Sequence, residues 1–159
     1  MKITILCVGK IKEKYFTEGI AEYMKRLGRY CKPEIIQVAD EKTPDNASER
    51  EVETILRKEG ERLEKYIKEG AYVIALAIEG KMYSSETFAD KINRLGIEGN
   101  SHIIFLIGGS LGLSKTLLQR ADESISFSKM TFPHQMMRMI LLEQIYRSYR
   151  IIEGAPYHK

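Results

Sequence analysis

Apolar stretches of strand length alternate with amphipathic stretches of helix length along the chain. Ala71–Ile78 and His102–Ile107 are continuously apolar except at their edges, and Lys2–Val8 is mostly so, as in strands of a parallel sheet that is covered on both faces. Glu13–Leu27 instead repeats its apolar residues at helical spacing, and Gly28 supplies a stop signal. The pattern therefore predicts strands separated by helices.

The remaining elements follow from shorter signals. Thr43-Pro44 predicts the start of a long helix, because proline suits the first helical turn, and Gly70 predicts its end. Ser84 or Ser85 is expected to cap a helix that runs to about Leu95. The other predicted elements are strands at Pro33–Ala39 and Ser124–Phe127 and helices from Ser114 to about Arg120 and from His134 to about Ile152.

This alternation predicts one α/β domain over residues 1–159, with a mainly parallel sheet flanked by helices. Ligands of such sheets bind beyond the carboxyl ends of the strands. The expected binding loops are therefore Glu79–Ser84, Gly108–Leu113 and Ser128–His134.

The last predicted helix is unusually apolar. Between Met136 and Ile152, eleven of seventeen residues are Met, Ile, Leu or Tyr, which exceeds the single apolar stripe of a surface helix. Either the helix is buried within its own chain, or a second face packs on another subunit. Because homodimers are the commonest soluble assembly, a homodimer is the favoured interpretation.

Composition narrows the class of protein. With 43% apolar and 30% charged residues, the chain is too apolar for a disordered protein. Its longest apolar run, Ala71–Ile78, is far shorter than the roughly 20 residues of a membrane-spanning helix. The N-terminus lacks the form of a signal peptide, and two cysteines, Cys7 and Cys31, then indicate a reduced, cytoplasmic protein. The net charge is +3, all of it carried from Ser124 onward, which is compatible with a phosphate-bearing partner.

Several kinds of site are excluded or left open by spacing. The three histidines show no metal-ligand spacing, so no metal is expected. The run Gly108-Gly109-Ser110-Leu111-Gly112 matches neither the dinucleotide fingerprint nor a Walker A loop, which argues against a dinucleotide oxidoreductase. It predicts either a backbone that approaches a ligand or a tight turn.

The C-terminal motifs also admit two interpretations. Glu143 and Arg147, four residues apart on a helix, form either a surface ion pair of little energetic value or part of a site. His134 is either a base or a structural residue at a helix start. The tail Pro156-Tyr157-His158-Lys159 is either frayed or brings a proton acceptor and a stacking surface to a site.

Taken in order, these motifs resemble the RlmH family, small methyltransferases of the SPOUT superfamily that act on large-subunit ribosomal RNA. The resemblance covers essentially the whole chain. Its matching elements are Leu76 with Gly80-Lys81 and Ser84-Ser85-Glu86, Phe105–Gly109 with Gly112, Ser126–Gln135, Glu143-Gln144 with Tyr146-Arg147, and Pro156–Lys159.

The resemblance implies a deep trefoil knot in the C-terminal part, with knot loops at about residues 76–134. It implies an obligate homodimer, S-adenosylmethionine as methyl donor, and a pseudouridine methylated at N3, with no metal. Donor contacts carried over from the family are Leu76, Gly108, Phe127, Ser128, Lys129, Met130, Thr131 and Phe132. The implied catalytic residues are His158 as base or proton relay, Tyr157 as orienting ring, Arg147 as charge stabiliser and Glu143 as its orienter.

Two further expectations concern the substrate. Phosphate neutralisation supplies most non-specific RNA affinity, so the small net charge predicts recognition of an assembled ribosome rather than naked RNA. Alternatives are a SPOUT methyltransferase of transfer RNA or of another ribosomal RNA site, and a non-catalytic nucleotide-binding or ribosome-associated module. A binding module has no evident need of the terminal Tyr-His pair, so the tail distinguishes the classes.

Overall fold

The computed structural model describes residues 1–159. Five strands and five helices alternate along the chain. They are β1 (Lys2–Val8), α1 (Lys14–Leu27), β2 (Lys32–Val38), α2 (Glu49–Glu64), β3 (Tyr72–Met82), α3 (Ser85–Ile97), β4 (His102–Ile107), α4 (Lys115–Arg120), β5 (Glu123–Ser126) and α5 (His134–Ile152).

The strands form one sheet in the order β2-β1-β4-β3-β5, and every pair of neighbours is parallel. Helices α1, α3 and α5 pack on one face of the sheet, where the Phe105 side chain is fully buried. Helices α2 and α4 cover the other face, where the Leu106 side chain is fully buried. This confirms the predicted α/β class with a mainly parallel sheet. The trefoil threading of the chain stays a prediction.

Helix α5 lies between α1 and α3 of its own chain. Leu141, Leu142 and Ile145 are fully buried, and no residue of α5 before Ile152 is fully exposed. Packing within one chain therefore accounts for much of the apolar character of this helix, and a second subunit stays a prediction. None of the helices is long and apolar enough to cross a bilayer. Cys7 and Cys31 are buried and unpaired.

The predicted bounds of the second helix were wrong at both ends. Its start is a capping box: Glu51 N–H donates to Ser48 Oγ at 3.2 Å, and Ser48 N–H donates to Glu51 Oε1 at 3.3 Å. This reciprocal pair satisfies two free N–H groups, whereas Pro44 lies in the irregular segment before it. At the other end, Tyr66 N–H bonds to Leu63 O and ends the α-helical pattern before Gly70.

Strand β3 extends past its predicted end at Ile78, so most of the expected loop Glu79–Ser84 is strand. Leu76 and Lys81 both pair with Ile125, and the residues between them bulge out of the ladder. The return to pairing requires a glycine at position 80, because a Cβ there would lie 2.6–2.7 Å from backbone atoms of Ser124 and Ile125. The extension depends on this long-range pairing, which the local pattern does not contain.

Candidate active site

Glu143 and Arg147 face each other one turn apart on α5. Arg147 donates from Nε and Nη2 to Glu143 Oε1 at 3.0 and 2.6 Å. The two side chains are only 18% and 25% exposed, so the pair is shielded from water to a degree that exposed ion pairs are not. The bond to Glu143 raises the pKa of Arg147, which keeps the guanidinium charged.

The C-terminal tail folds back onto this pair. Tyr157 donates its hydroxyl proton to Glu143 Oε1 at 3.1 Å, and its ring lies 4.8 Å from the Arg147 guanidinium. The rings of Tyr157 and Tyr146 form a T-shaped pair, with their centroids 5.1 Å apart. Burial, followed by the charge of Glu143, raises the pKa of Tyr157. The phenol is therefore fixed as a hydrogen-bond donor and is poorly suited to accept a proton.

His158 bridges two charged side chains. Its Nδ1 lies 3.1 Å from Arg147 Nη1, and its Nε2 lies 2.7 Å from Glu86 Oε1. Arginine has only donors, so Nδ1 is the acceptor and the neutral ring carries its proton on Nε2, which donates to Glu86. A bond to its own backbone N–H and the bond from His158 lower the pKa of Glu86. Both ring nitrogens are thus engaged.

Three residues of this cluster were not assigned to the site from sequence. Glu86 holds His158, Gln144 donates to Glu143 Oε2 at 3.0 Å, and Ser85 donates to Gln144 Oε1 at 2.8 Å. Glu86 and Gln144 stood in motifs that carried the family resemblance. Their partners are 72 and 59 residues away along the chain, so only the fold reveals the contacts.

The expected donor-binding residues lie elsewhere, at the register break of β3 and after the carboxyl ends of β4 and β5. Leu76 stands at the register break of β3, and Gly108 directly follows β4. The glycine run forms a tight turn, in which Gly112 N–H donates to Gly109 O at 3.0 Å. A Cβ at Gly108 would overlap the backbone of Gly112. The turn interpretation is confirmed, and the ligand interpretation stays a prediction.

The loop after β5 presents backbone groups without protein partners. Ser126 Oγ donates to Ser128 O at 3.0 Å, and Met130 N–H donates to Ser128 Oγ at 2.9 Å. The other N–H groups from Ser128 to Phe132 donate to no protein acceptor. The Phe127 ring packs on Phe88 of α3 at 6.2 Å. The loop is thus anchored at its start, with Lys129, Met130, Thr131 and Phe132 exposed.

No hydrogen bond, ion pair or ring contact joins the two sets of residues within one chain. The hydrogen bonds and ring contacts of the tail cluster reach Glu86, Ser85, Gln144 and Tyr146 and none of the expected donor-binding residues. Helix α3 joins them, because Glu86 in its first turn meets the tail and Phe88 meets the loop after β5.

Arg138 is a structural rather than a surface residue, and His134, which is half-buried beside it, stays open between a base and a structural residue. Arg138, one of the basic residues in the C-terminal charge count, is fully buried and donates to Val8 O, Gly9 O and Gln37 Oε1, each at 2.8 Å. Burial and the neighbouring Arg138 lower the pKa of His134, whose Nδ1 has no partner. The C-terminal part of the chain therefore presents fewer positive charges at the surface than its sequence contains.

Known protein families place this fold in a class. A family model described as a predicted SPOUT methyltransferase matches residues 1–158. A probable methyltransferase from Bordetella pertussis superposes with a TM-score of 0.58 at 12% identity, over 92% of this chain and 93% of that one. A probable methylase family protein from Haemophilus influenzae superposes with a TM-score of 0.55 at 13% identity, over 99% of this chain and 70% of that one. The architecture is that of the SPOUT methyltransferases.

Close relatives narrow the class to one family. Proteins named ribosomal RNA large subunit methyltransferase H are 64% identical in Bifidobacterium adolescentis, 60% in Clostridium novyi and 59% in Clostridium beijerinckii. Each match covers all of both chains. The chain belongs to the RlmH family of SPOUT methyltransferases.

Proposed function

We propose that this protein is a cytoplasmic homodimer that methylates N3 of a pseudouridine in large-subunit ribosomal RNA, with S-adenosylmethionine as donor. The observation that carries the proposal is the full-length identity of 59–64% to relatives named for methylation of this RNA. The clustering of Glu143, Arg147, Tyr157 and His158 supports it, since a merely frayed tail would not form these contacts.

The proposed place of the methyl donor is the register break of β3 with the carboxyl ends of β4 and β5. The free N–H groups of the loop after β5 can donate to the adenine and ribose, and the exposed Met130 and Phe132 offer apolar surface. Gly108, which follows β4, and Leu76, at the register break of β3, are the other proposed contacts of the donor. S-adenosylmethionine supplies a methyl group on a sulfonium, and transfer needs alignment above all.

The acceptor nitrogen carries a weakly acidic proton, which a positioned base removes. His158 is the proposed base or relay, Arg147 stabilises the developing charge, Glu143 holds Arg147, and Tyr157 orients the target ring. In the isolated chain Arg147 occupies the lone pair of His158 Nδ1. His158 therefore acts as a base only after the tail leaves this position.

A shared site between two subunits follows from this arrangement. The tail cluster and the donor-binding residues are separate within one chain, and both nitrogens of His158 are engaged there. We propose that in a homodimer the tail of one subunit completes the donor site of the other. The net charge of +3 is small for a protein that holds RNA by phosphate neutralisation alone, which supports an assembled ribosome as the substrate.

The test is transfer of radiolabelled methyl from S-adenosylmethionine to ribosomes, free large subunits and transfer RNA, all from cells that lack this gene. Label in one modified uridine of large-subunit RNA, found with assembled ribosomes only, is the expected result. Mass spectrometry maps the labelled nucleotide. Label in transfer RNA would keep the donor and overturn the substrate.

A matched pair of variants separates catalysis from donor binding. Deletion of Tyr157–Lys159 is expected to abolish methyl transfer while the affinity for S-adenosylmethionine, measured by calorimetry, stays unchanged. Lys159→Gln alone is the control and should retain activity. If the deleted chain still methylates ribosomes at the wild-type rate, the tail has no catalytic part.

A further inference from the structure

A charged cleft of about 270 Å³ opens beside the C-terminal half of α1, the turn between α1 and β2, and the middle of α5. None of its lining residues belongs to the expected catalytic or donor-binding sets. They are Glu22, Lys25, Arg26, Arg29, Tyr30 and Tyr146. Four of these six side chains are charged and two are aromatic, a composition unsuited to an apolar ligand.

One arginine of the cleft is held in place by its neighbours. Arg26 Nε donates to Glu22 Oε1 at 2.9 Å, and the guanidinium lies 5.3 Å from the Tyr23 ring and 5.5 Å from the Tyr146 ring. Arg26 thereby neutralises the only carboxylate that lines the cleft. The planar group is fixed between two rings and keeps donors that Glu22 does not use.

The other two cations have no counter-charge. Lys25 and Arg29 are exposed and form no ion pair, and the Arg29 guanidinium lies 5.8 Å from the Tyr30 ring. The cleft therefore presents two uncompensated positive charges on aromatic walls. Such a surface suits an anion that brings its own stacking or sugar groups.

The cleft adjoins the tail cluster at the Tyr146 ring. Tyr146 lines the cleft and also packs against Tyr157, with the two ring centroids 5.1 Å apart. Tyr157 in turn lies under Arg147. A polymeric ligand bound in the cleft would thus extend toward the residues proposed to act on the target base.

We propose that the Lys25–Arg26–Arg29 cleft binds the phosphodiester backbone of the RNA substrate beside the target nucleotide. The inference rests on the proposed function, since it takes RNA as the substrate. Guanidinium and ammonium groups suit phosphate oxygens, and aromatic rings next to them accept unstacked nucleotides. Contacts of this kind position a nucleic acid without reading its sequence.

The experiment compares two doubly substituted chains of equal charge. Lys25→Gln/Arg29→Gln removes the two uncompensated cations, and Arg50→Gln/Lys65→Gln removes one exposed arginine and one exposed lysine of α2 and its C-cap. Binding to ribosomes from cells lacking this gene is measured over a range of salt concentrations, together with kcat and KM. Sedimentation reports the assembly state, and Lys25→Arg/Arg29→Lys tests rescue by charge.

The cleft variant should raise KM severalfold with little change in kcat, and it should reduce the slope of log affinity against log salt by about 1.4–1.8. The control pair and the charge-preserving variant should keep the wild-type slope. The proposal would be overturned by a wild-type slope in the cleft variant or by an equal reduction of the slope in the control pair. A changed assembly state of the cleft variant, or a wild-type chain that does not bind ribosomes, would overturn it as well. Failure of the wild-type chain to methylate any RNA would instead refute the proposed function, because the salt slope is measured without turnover.

Discussion

At the scale of single residues, the structure explains two glycines that the sequence only marked. Gly80 and Gly108 each stand where a Cβ would meet the backbone of another segment. The sequence indicated a close approach or a tight turn at Gly108 and only a loop at Gly80, and the approaching partners, Gly112 and β5, are set by the fold. A glycine motif therefore predicts that another segment approaches the backbone closely, but it does not predict which segment.

Gly80→Ala tests this close approach. The added methyl group would lie 2.6–2.7 Å from backbone atoms of β5, so we expect a loss of about 1–3 kcal/mol in the free energy of unfolding and weaker binding of S-adenosylmethionine. Gly96→Ala in α3 is the control, because its nearest contact would be 3.6 Å away and alanine favours a helix by about 0.5–1 kcal/mol. Urea unfolding and calorimetry measure both effects, and equal stabilities of the two variants would contradict this account.

Glu59 gives a second test at this scale, with pH as the variable. It is 4% exposed, its Oε2 accepts from Glu41 N–H at 2.9 Å, and its Oε1 has no partner. Burial raises the pKa of Glu59 above its ordinary value of 4.5. An acid whose pKa is raised by folding contributes stability that is complete below its unfolded pKa and is lost as pH rises through its folded pKa.

Glu59→Gln removes this loss while keeping an acceptor for Glu41 N–H. At pH 7 the variant should be more stable than the wild-type chain by about 1 kcal/mol, and the difference should shrink as the pH falls toward 4. Glu61→Gln, on the exposed face of α2, should show no such trend. Denaturant unfolding at several pH values measures this, and a Glu59→Gln chain that is less stable at pH 7 would show that the carboxylate is needed.

At the scale of elements, strands were predicted well because their apolar runs are local. The start of α2 was misplaced although Ser48 and Glu51 already form the spacing of a capping box; the error lay in preferring the proline signal at Pro44. The length of β3 was a different kind of error, since its last residues pair with β5 across a bulge. The end of an element can be predicted from sequence when a local motif determines it. It cannot be predicted when pairing with a distant strand determines it.

Arg138 joins the start of α5 to the end of β1, and its loss should separate these elements. Arg138→Met leaves Val8 O and Gly9 O without their donor, so we expect a loss of about 1–3 kcal/mol in the free energy of unfolding, the cost of a buried acceptor left unsatisfied. The control is Arg120→Met on α4, whose guanidinium is 40% exposed beside Glu64 and should contribute at most about 1 kcal/mol. Thermal and urea unfolding measure both, and similar small losses would mean that α5 is held by its apolar contacts alone.

At the scale of the whole molecule, charge along the chain was a poor guide to charge on the surface. The C-terminal excess includes Arg138, which is buried, and Arg147 and Arg150, which are bonded to Glu143 and Glu153. The uncompensated pair Lys25 and Arg29 lies instead in the half of the sequence that has no net charge. Only the fold decides which charges face each other and which face solvent.

The arrangement of the two sets of site residues leads to a prediction about a pair of subunits. In one chain, the tail binds Glu86 and Arg147 and forms no hydrogen bond with any of the donor-binding residues. If the tail completes the site of a second subunit, a dimer of two differently damaged chains should recover one working site. A tail-deleted chain lacking Tyr157–Lys159 and a Thr131→Trp chain, whose exposed loop side chain is enlarged to block the donor, are suitable partners.

Each damaged chain is first shown to be inactive as its own dimer, and calorimetry must show that Thr131→Trp no longer binds S-adenosylmethionine. The two chains are then co-expressed with different tags and the mixed dimers are purified through both. A shared site predicts about half of the wild-type methyl transfer, because the intact donor loop of the first chain meets the intact tail of the second. Well-formed mixed dimers without activity would show that each tail serves its own chain, since neither subunit then contains both intact parts. Chains that never associate would refute the dimer itself, and the engaged His158 would then have to be released within a single subunit.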